Sequence, residues 1–235
     1  MFTNQSNLLL SALSADTYQR LLLNANEISL TVGQILHQPN TPITEIYFPL
    51  ETAISLIMVL QDNSIAEVCT VGYQGMIGLS AILGKQPSPY QATVQIPGKA
   101  IVIPETALQA EFERGEDLSQ VLLLYAQARI KQISQISACQ THHLIEQRLA
   151  RWLLIVRKAT GKESLPVTQK VISQMLGVRR ASITEAAISL QNSGAISYSR
   201  GRIQILQPQL LEDICCECYQ EFQKSYNPLL ALKST

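Results

Sequence analysis

The apolar positions of this chain keep a helical period at the start, change to a strand period, and then return to the helical one. Residues 8–24 carry Leu9, Leu13, Leu21 and Leu22 as the packing positions of a helical stretch. From Glu27 the pattern becomes short alternating runs. Ile28, Leu30 and Val32 alternate and stop at Gly33, Ile35-Leu36 stop at Gln38-Pro39-Asn40, and Ile46-Tyr47-Phe48 stop at Pro49. Ala53 to Leu60 is a longer apolar run ended by Asp62-Asn63-Ser64. Ile65 to Val71 ends at Gly72, Ala92 to Ile96 at Pro97-Gly98, and Ala100 to Ile103 at Pro104. Short strands with turns about every 8–12 residues predict an antiparallel barrel or jelly roll. Gly75 to Gly84 interrupts that rhythm and reads as a short helix bounded by glycines.

After Gly115 the helical period returns. Leu118, Leu122, Tyr125, Arg129, Gln132, Ile136 and Cys139 step by 4, 3, 4, 3, 4 and 3, the seam of a coiled coil. Leu123, Ala126, Ile130 and Ile133 form a second apolar face beside it. One face would pack on the β domain and the other on a second copy of the chain. The seam from Leu118 to Ile136, with polar Arg129 and Gln132 inside it, is assigned to the dimer contact. The alternative is one helix covered entirely by its own chain. His142 to Thr160 predicts another amphipathic helix, with Leu144, Leu149, Trp152 and Leu153 inward and Gly161 at its end.

Thr168 to Leu190 reads as two short helices about one glycine. Thr168 suits an N-cap, Ile172 and Leu176 share a face, and Gly177 can end a helix in the left-handed conformation. The second helix places Val178, Ile183, Ala186 and Leu190 inward and leaves Arg179, Arg180, Ser182 and Glu185 outside, with small Ser173 where the helices cross. This is the spacing of a DNA-binding helix-turn-helix; an ordinary αα-hairpin is the other reading. Gly194 to Ser199 and Ile203 to Leu206 then alternate about Arg200-Gly201-Arg202, a β-hairpin with an arginine on each side of its tip glycine. A helix-turn-helix followed by a basic hairpin is a winged helix. Pro208 to Phe222 predicts a last helix.

Charge sharpens this division. The 235 residues carry 18 Lys/Arg and 18 Asp/Glu, a net charge of zero. Residues 1–140 nevertheless balance to −5, residues 141–207 to +7 and residues 208–235 to −2. The basic excess falls on the predicted winged helix, which suits a polyanionic partner for that domain. No apolar run approaches a membrane span and the N-terminus MFTNQSN lacks the features of a signal peptide, so a cytoplasmic protein is expected. Five scattered cysteines argue against a disulfide framework. No catalytic triad, paired carboxylates or phosphate-cradling glycine loop supports an enzyme.

On Gln147-Arg148-Leu149-Ala150-Arg151-Trp152-Leu153, Gly177-Val178-Arg179-Arg180-Ala181-Ser182-Ile183 and Gly194-Ala195-Ile196 with Arg200-Gly201-Arg202-Ile203, the chain resembles the Crp/Fnr family of bacterial transcription regulators. The resemblance implies an α+β fold: an antiparallel β-roll (jelly roll) of cyclic-nucleotide-binding type at 1–115, a dimerisation helix and hinge at 116–140, and a C-terminal winged helix-turn-helix at 141–235. It implies a homodimer on palindromic double-stranded DNA, with RNA polymerase as a further candidate partner and no membrane. The family's base-reading arginine falls on Arg180 and its phosphate-contacting hydroxyl on Ser182. Ala181 and Glu185 depart from an acidic residue and a second arginine. The expected DNA-contacting set is Thr168, Gln169, Arg179, Arg180, Ser182, Thr184, Glu185, Arg200 and Arg202.

The sensor half departs further. Cyclic-nucleotide binders of this fold use a glutamate for the ribose and an arginine for the phosphate, and the matching cassette here offers Leu79 and Tyr90. Lys85 is the nearest basic residue of that segment. A candidate effector pocket at Leu79, Lys85 and Tyr90 is therefore expected not to take a cyclic nucleotide, and the effector is left open. The family's iron–sulfur branch needs an N-terminal cysteine cluster, whereas the first cysteine here is Cys69. Cys215, Cys216 and Cys218 allow a thiol pair or soft-metal site, with Cys215 and Cys218 sharing a helical face. Lacking a histidine nearby in sequence, they read instead as small buried hydrophobes, so neither metal nor cofactor is assigned. His37 reads as an exposed turn residue, with haem ligation the other reading. The competing function is a sensor or interaction module whose basic domain binds RNA or protein.

Overall fold

The computed structural model describes residues 7–62 and 64–232. Its N-terminal half is two facing antiparallel sheets. Strands β1 (Asn26–Leu30), β2 (Ile35–His37), β3 (Glu45–Pro49), β4 (Ala53–Val59), β5 (Ile65–Val71), β6 (Gln91–Ile96) and β7 (Gly98–Pro104) form them in the orders β1-β7-β3 and β2-β6-β4-β5. Most of the alternating apolar residues face inward, although Val32 (62% exposed) lies in the turn after β1 and Ile35 (45% exposed) points outward. Leu30, Tyr47, Ile54, Cys69, Val71, Val94 and Val102 meet in one core between the sheets. The predicted glycine-bounded helix is α2 (Leu79–Gly84).

Two helical predictions change around this roll. The stretch at 8–24 is a 3-10 turn at Leu10–Ala12 and a separate helix α1 (Ala15–Leu22). Ser14 divides them because its hydroxyl caps α1, accepting from the backbone N–H of Thr17. A helix not anticipated, α3 (Glu105–Glu113), follows β7 directly. Arg20 ties α1 to the end of the roll through ion pairs to Glu111 at 2.6 Å and Glu116 at 2.5 Å.

The long helix is α4 (Asp117–His142). Here the predicted dimer seam is corrected. Leu118, Leu122, Tyr125, Arg129 and Gln132 are 0–6% exposed within their own chain, and Ile136 is half-buried. Leu118, Leu122 and Tyr125 pack into the core shared with the roll, while Gln132 donates to Ser225 at 2.8 Å. Of the second face, Leu123 (59%) and Ile130 (68%) are exposed, while Ala126 and Ile133 are half-buried. A seam of heptad spacing reports that one side of a helix is covered, and here its own chain covers it.

α4 stops at His142, and α5 (Ile145–Thr160) begins beyond a break at His143. Leu144 is therefore exposed, not inward, while Leu149, Trp152 and Leu153 are buried as predicted. Strand β8 (Ser164–Leu165), helices α6 (Gln169–Leu176) and α7 (Arg180–Asn192), and strands β9 (Ile196–Ser199) and β10 (Arg202–Ile205) complete the winged helix. β8 was not anticipated; it pairs with β10 and makes the wing three-stranded. The predicted single helix from Pro208 to Phe222 is broken into α8 (Pro208–Ile214) and α9 (Cys218–Lys224), because Cys215 is extended. Cys215 and Cys218 thus do not share a helical face. A short helix, α10 (Asn227–Leu232), ends the described chain.

The winged helix packs directly on the roll. Trp152 of α5 donates its indole N–H to the buried Glu67 carboxylate of β5 at 2.9 Å, and Lys162 donates to the Pro97 carbonyl at 2.7 Å. Gly72, just after β5, makes the approach possible. A Cβ there would lie 2.3 Å from the Cβ of Ala159.

Candidate nucleic-acid interface and effector pocket

The helix-turn-helix is built by local chemistry. Thr168 caps α6, accepting from Val171 N–H at 3.3 Å. Gly177 closes α6 at φ +63°. Its N–H donates to Gln174 and that of Val178 to Ser173, the paired bonds of a Schellman motif. Buried Arg148 of α5 donates to the Leu176 carbonyl and so holds the last turn of α6. Ile183, Ala186 and Leu190 of α7 are buried, and Ser173 is buried at the crossing.

The opposite face of α7 carries the predicted contact residues. Arg179, its N-cap, and Arg180, its first residue, are exposed, as are Thr168 and Glu185, while Gln169, Ser182 and Thr184 are half-buried. Thr184 donates to the Gln169 side chain at 3.0 Å, joining the two helices across the turn. Arg200 and Gly201 both have positive φ at the wing tip, which presents Arg200 outward, and exposed Arg202 donates to Ser164 at 3.1 Å. Among the described residues none of Arg179, Arg180, Arg200 and Arg202 forms an ion pair. Four guanidiniums thus stand without carboxylates on one module, able to pair with phosphate or with guanine.

The second site is a cavity of about 210 Å³ between the roll and α4. Leu79 and Tyr90 line it as expected, together with His37, Leu56, Ser88, Tyr125, Arg129 and Ile133. Lys85 does not. Its left-handed backbone turns the side chain outward, where Glu113 pairs with it at 2.8 Å and raises its pKa. The cation that lines the cavity is Arg129, which sequence spacing had placed in a dimer seam. Its guanidinium donates to Cys69 and to Gln132 and stands over the Tyr125 ring at 5.9 Å. Burial pushes the Cys69 thiol above its ordinary pKa despite that guanidinium, so the thiol stays neutral and supplies no countercharge. His37 also corrects its sequence reading. It is 8% exposed, bonded through Nε2 to the Glu45 carbonyl at 2.9 Å, and burial lowers its pKa.

A two-sheet roll with a pocket against a long helix, followed by a winged helix-turn-helix, defines a class of DNA-binding transcription regulators. Residues 27–114 match the family profile of the cyclic nucleotide-binding domain and residues 147–214 that of the Crp-like helix-turn-helix domain. The chain belongs to the Crp/Fnr family of transcription regulators. Solved structures share the fold. A Crp/Fnr-family transcriptional regulator from Eubacterium rectale is 19% identical with TM-score 0.67, covering 88% of this chain and 96% of that one. FixK2 from Bradyrhizobium japonicum is 13% identical with TM-score 0.68, covering 82% and 98%. The c-di-GMP responsive global regulator CLP of Xanthomonas campestris is 14% identical with TM-score 0.65, covering 82% and 99%. No curated protein matches the chain. No helix among the described residues is long and apolar enough to cross a membrane.

Proposed function

We propose that the protein is a homodimeric, cytoplasmic regulator, not an enzyme, that reads a two-fold symmetric DNA site and does not answer to cyclic AMP or cyclic GMP. The observation that carries the DNA reading is the set of unpaired arginines at the start of α7 and on the wing. Arg180 is the base reader; Arg179, Arg200 and Arg202 clamp phosphate, and Thr168, Gln169, Ser182, Thr184 and Glu185 complete the contact surface. Residues up to 115 are the sensor, α4 is the dimerisation helix, and the hinge to the DNA-binding domain is the break at His143. The dimer surface is the outer face of α4, where Leu123, Gln127, Ile130, Ser134 and Ser137 follow one another in steps of 4, 3, 4 and 3 and are all exposed. RNA polymerase is the further partner of a regulator bound beside a promoter.

The pocket argues against a cyclic nucleotide. Its lining holds no carboxylate to accept from a ribose hydroxyl, and Lys85 is engaged outside it. At about 210 Å³ it lies below the roughly 300–1,000 Å³ of sites that enclose drug-sized ligands. An apolar wall with one uncompensated guanidinium suits a small ligand bearing one anionic group.

Footprinting of the full-length protein on genomic fragments tests this reading. Protection of two half-sites about one helical turn, ~34 Å, apart is expected, unchanged by cyclic AMP or cyclic GMP. Arg180→Ala should cost ~1–3 kcal/mol and relax preference at one base pair. Arg202→Ala should weaken all sequences alike and lower the salt slope by about one. A single asymmetric half-site, nucleotide-dependent protection, or a uniform effect of both substitutions each overturns the corresponding part.

A further inference from the structure

We propose that Cys139, His143, Cys216 and Cys218 bind a single zinc ion that fastens the C-terminal helices to the end of α4. Cys139 and His143 lie four residues apart, at the last turn and the cap of α4. Cys216, 77 residues beyond Cys139, lies in the break between α8 and α9, and Cys218 is the first residue of α9. The four ligand atoms all lie within 4.8 Å of one another. Sγ of Cys139 is 3.6 Å from Sγ of Cys216, and Sγ of Cys218 is 3.5 Å from Nδ1 of His143. A tetrahedral zinc with Zn–S bonds of about 2.3 Å separates its sulfur ligands by about 3.8 Å. The spacing therefore fits one ion. An iron–sulfur core needs its thiolates spread around a wider body.

The surroundings point the same way. His143 turns Nδ1 inward, while its Nε2 meets Glu217 at 3.2 Å, the carboxylate–histidine arrangement that orients a zinc ligand. Gln135 donates to the Cys218 sulfur at 3.1 Å, a bond that suits a metal-bound thiolate. The three cysteines form a small buried cluster of their own, apart from the main core. Three thiolates, a neutral imidazole and a dication carry one net negative charge. Two arginines of α5, Arg148 and Arg151, are buried, interact electrostatically with Cys139, and make no ion pair among the described residues. Each also leaves its Nε without a hydrogen-bond partner. A negatively charged zinc centre would supply a countercharge to Arg148 and a second one to Arg151, which also interacts with the Glu67 carboxyl group of β5.

The position gives the ion a role. It sits where α4 hands over to α5, and Arg148 reaches from its vicinity to the last carbonyl of α6. Occupancy would therefore set how the helix-turn-helix is held against the long helix.

Metal analysis of the full-length protein, purified under reductant and dialysed, tests the site independently of DNA binding. About one zinc per chain is expected, falling to below about a tenth in Cys216→Ser, Cys218→Ser and His143→Ala. Cys215→Ser should keep its zinc, since that half-buried thiol bonds to the Glu212 carbonyl instead. Cobalt loaded in place of zinc should give the intense visible bands of a tetrahedral site with thiolate charge transfer, a readout on the wild-type chain that holds even if the variants fold poorly. Chelation should lower the melting temperature of the wild type. A chain with neither bound zinc nor zinc uptake, a six-coordinate cobalt spectrum, iron with acid-labile sulfide, a Cys139–Cys216 disulfide in place of metal, or equal loss in Cys215→Ser would overturn the proposal.

Discussion

Replacing Arg129 by methionine should make the ligand-free protein more stable. Arg129 is 6% exposed, and no carboxylate pairs with it among the described residues. A guanidinium does not deprotonate in a protein, so its charge is buried outright, at an effective cost of several kcal/mol. The compensation is modest. Its bond to Gln132 is long, at 3.3 Å, and its partner Cys69 is a neutral thiol, a weak acceptor. The cation–π contact with Tyr125, at 5.9 Å, is worth about 0.5–2 kcal/mol. Methionine fills a similar elongated space without the charge, and Gln132 keeps its bond to Ser225 at 2.8 Å. A net gain of about 1–3 kcal/mol follows, close to what replacing buried charges with apolar side chains yields elsewhere. For a chain of this size that is roughly 2–10 °C in Tm. Urea unfolding followed by circular dichroism measures it, with an unchanged m-value showing that the folded state is intact. A loss of 1 kcal/mol or more would refute the reasoning, because it would mean that Cys69, Gln132 and Tyr125 already satisfy the guanidinium.

Two further outcomes follow from buried polar groups. Trp152→Phe removes the N–H that reaches Glu67 and should cost about 1–3 kcal/mol by the same urea assay; a cost below about 0.5 kcal/mol would show that this bond does not join the domains. His37 has its pKa lowered by burial below the ordinary 6.5, so between that value and its folded pKa the unfolded chain binds more protons than the folded one. Stability should therefore hold above about pH 6.5 and fall as the pH drops through that window. In melting curves against pH, His37→Gln should flatten the fall, and an unchanged slope would assign it to other groups.

The local chemistry of the chain carried much of the architecture. The β-roll strands, the glycine-bounded helix α2, the cap at Thr168, the turn at Gly177 and the hairpin about Gly201 are each specified by residues within one or two turns of one another. Alternation, a capping hydroxyl or a left-handed glycine acts on its neighbours regardless of what lies across the molecule. The exposure of Arg179 and Arg180 was legible for the same reason, since the inner face of α7 leaves only one side for them. Boundaries that depend on a break were less legible. The interruption at His143 and the split at Cys215 lie in stretches whose side chains are compatible with continuous helix.

What the sequence alone determined, then, is where most of the strands and helices lie, how a winged helix-turn-helix follows a roll, and where positive charge collects. What covers each apolar face was decided only in three dimensions. The heptad steps from Leu118 to Ile136 announced a buried seam, yet a heptad is indifferent to whether a second copy or its own chain buries it. Folding chose its own roll and C-terminal helices, and in doing so moved Arg129 from a supposed interface into the pocket. The pairing of Cys139 and His143 with Cys216 and Cys218 is of the same kind. Periodicity describes one element at a time, whereas a pocket or a ligand set is made by elements whose meeting depends on the packing of the whole chain.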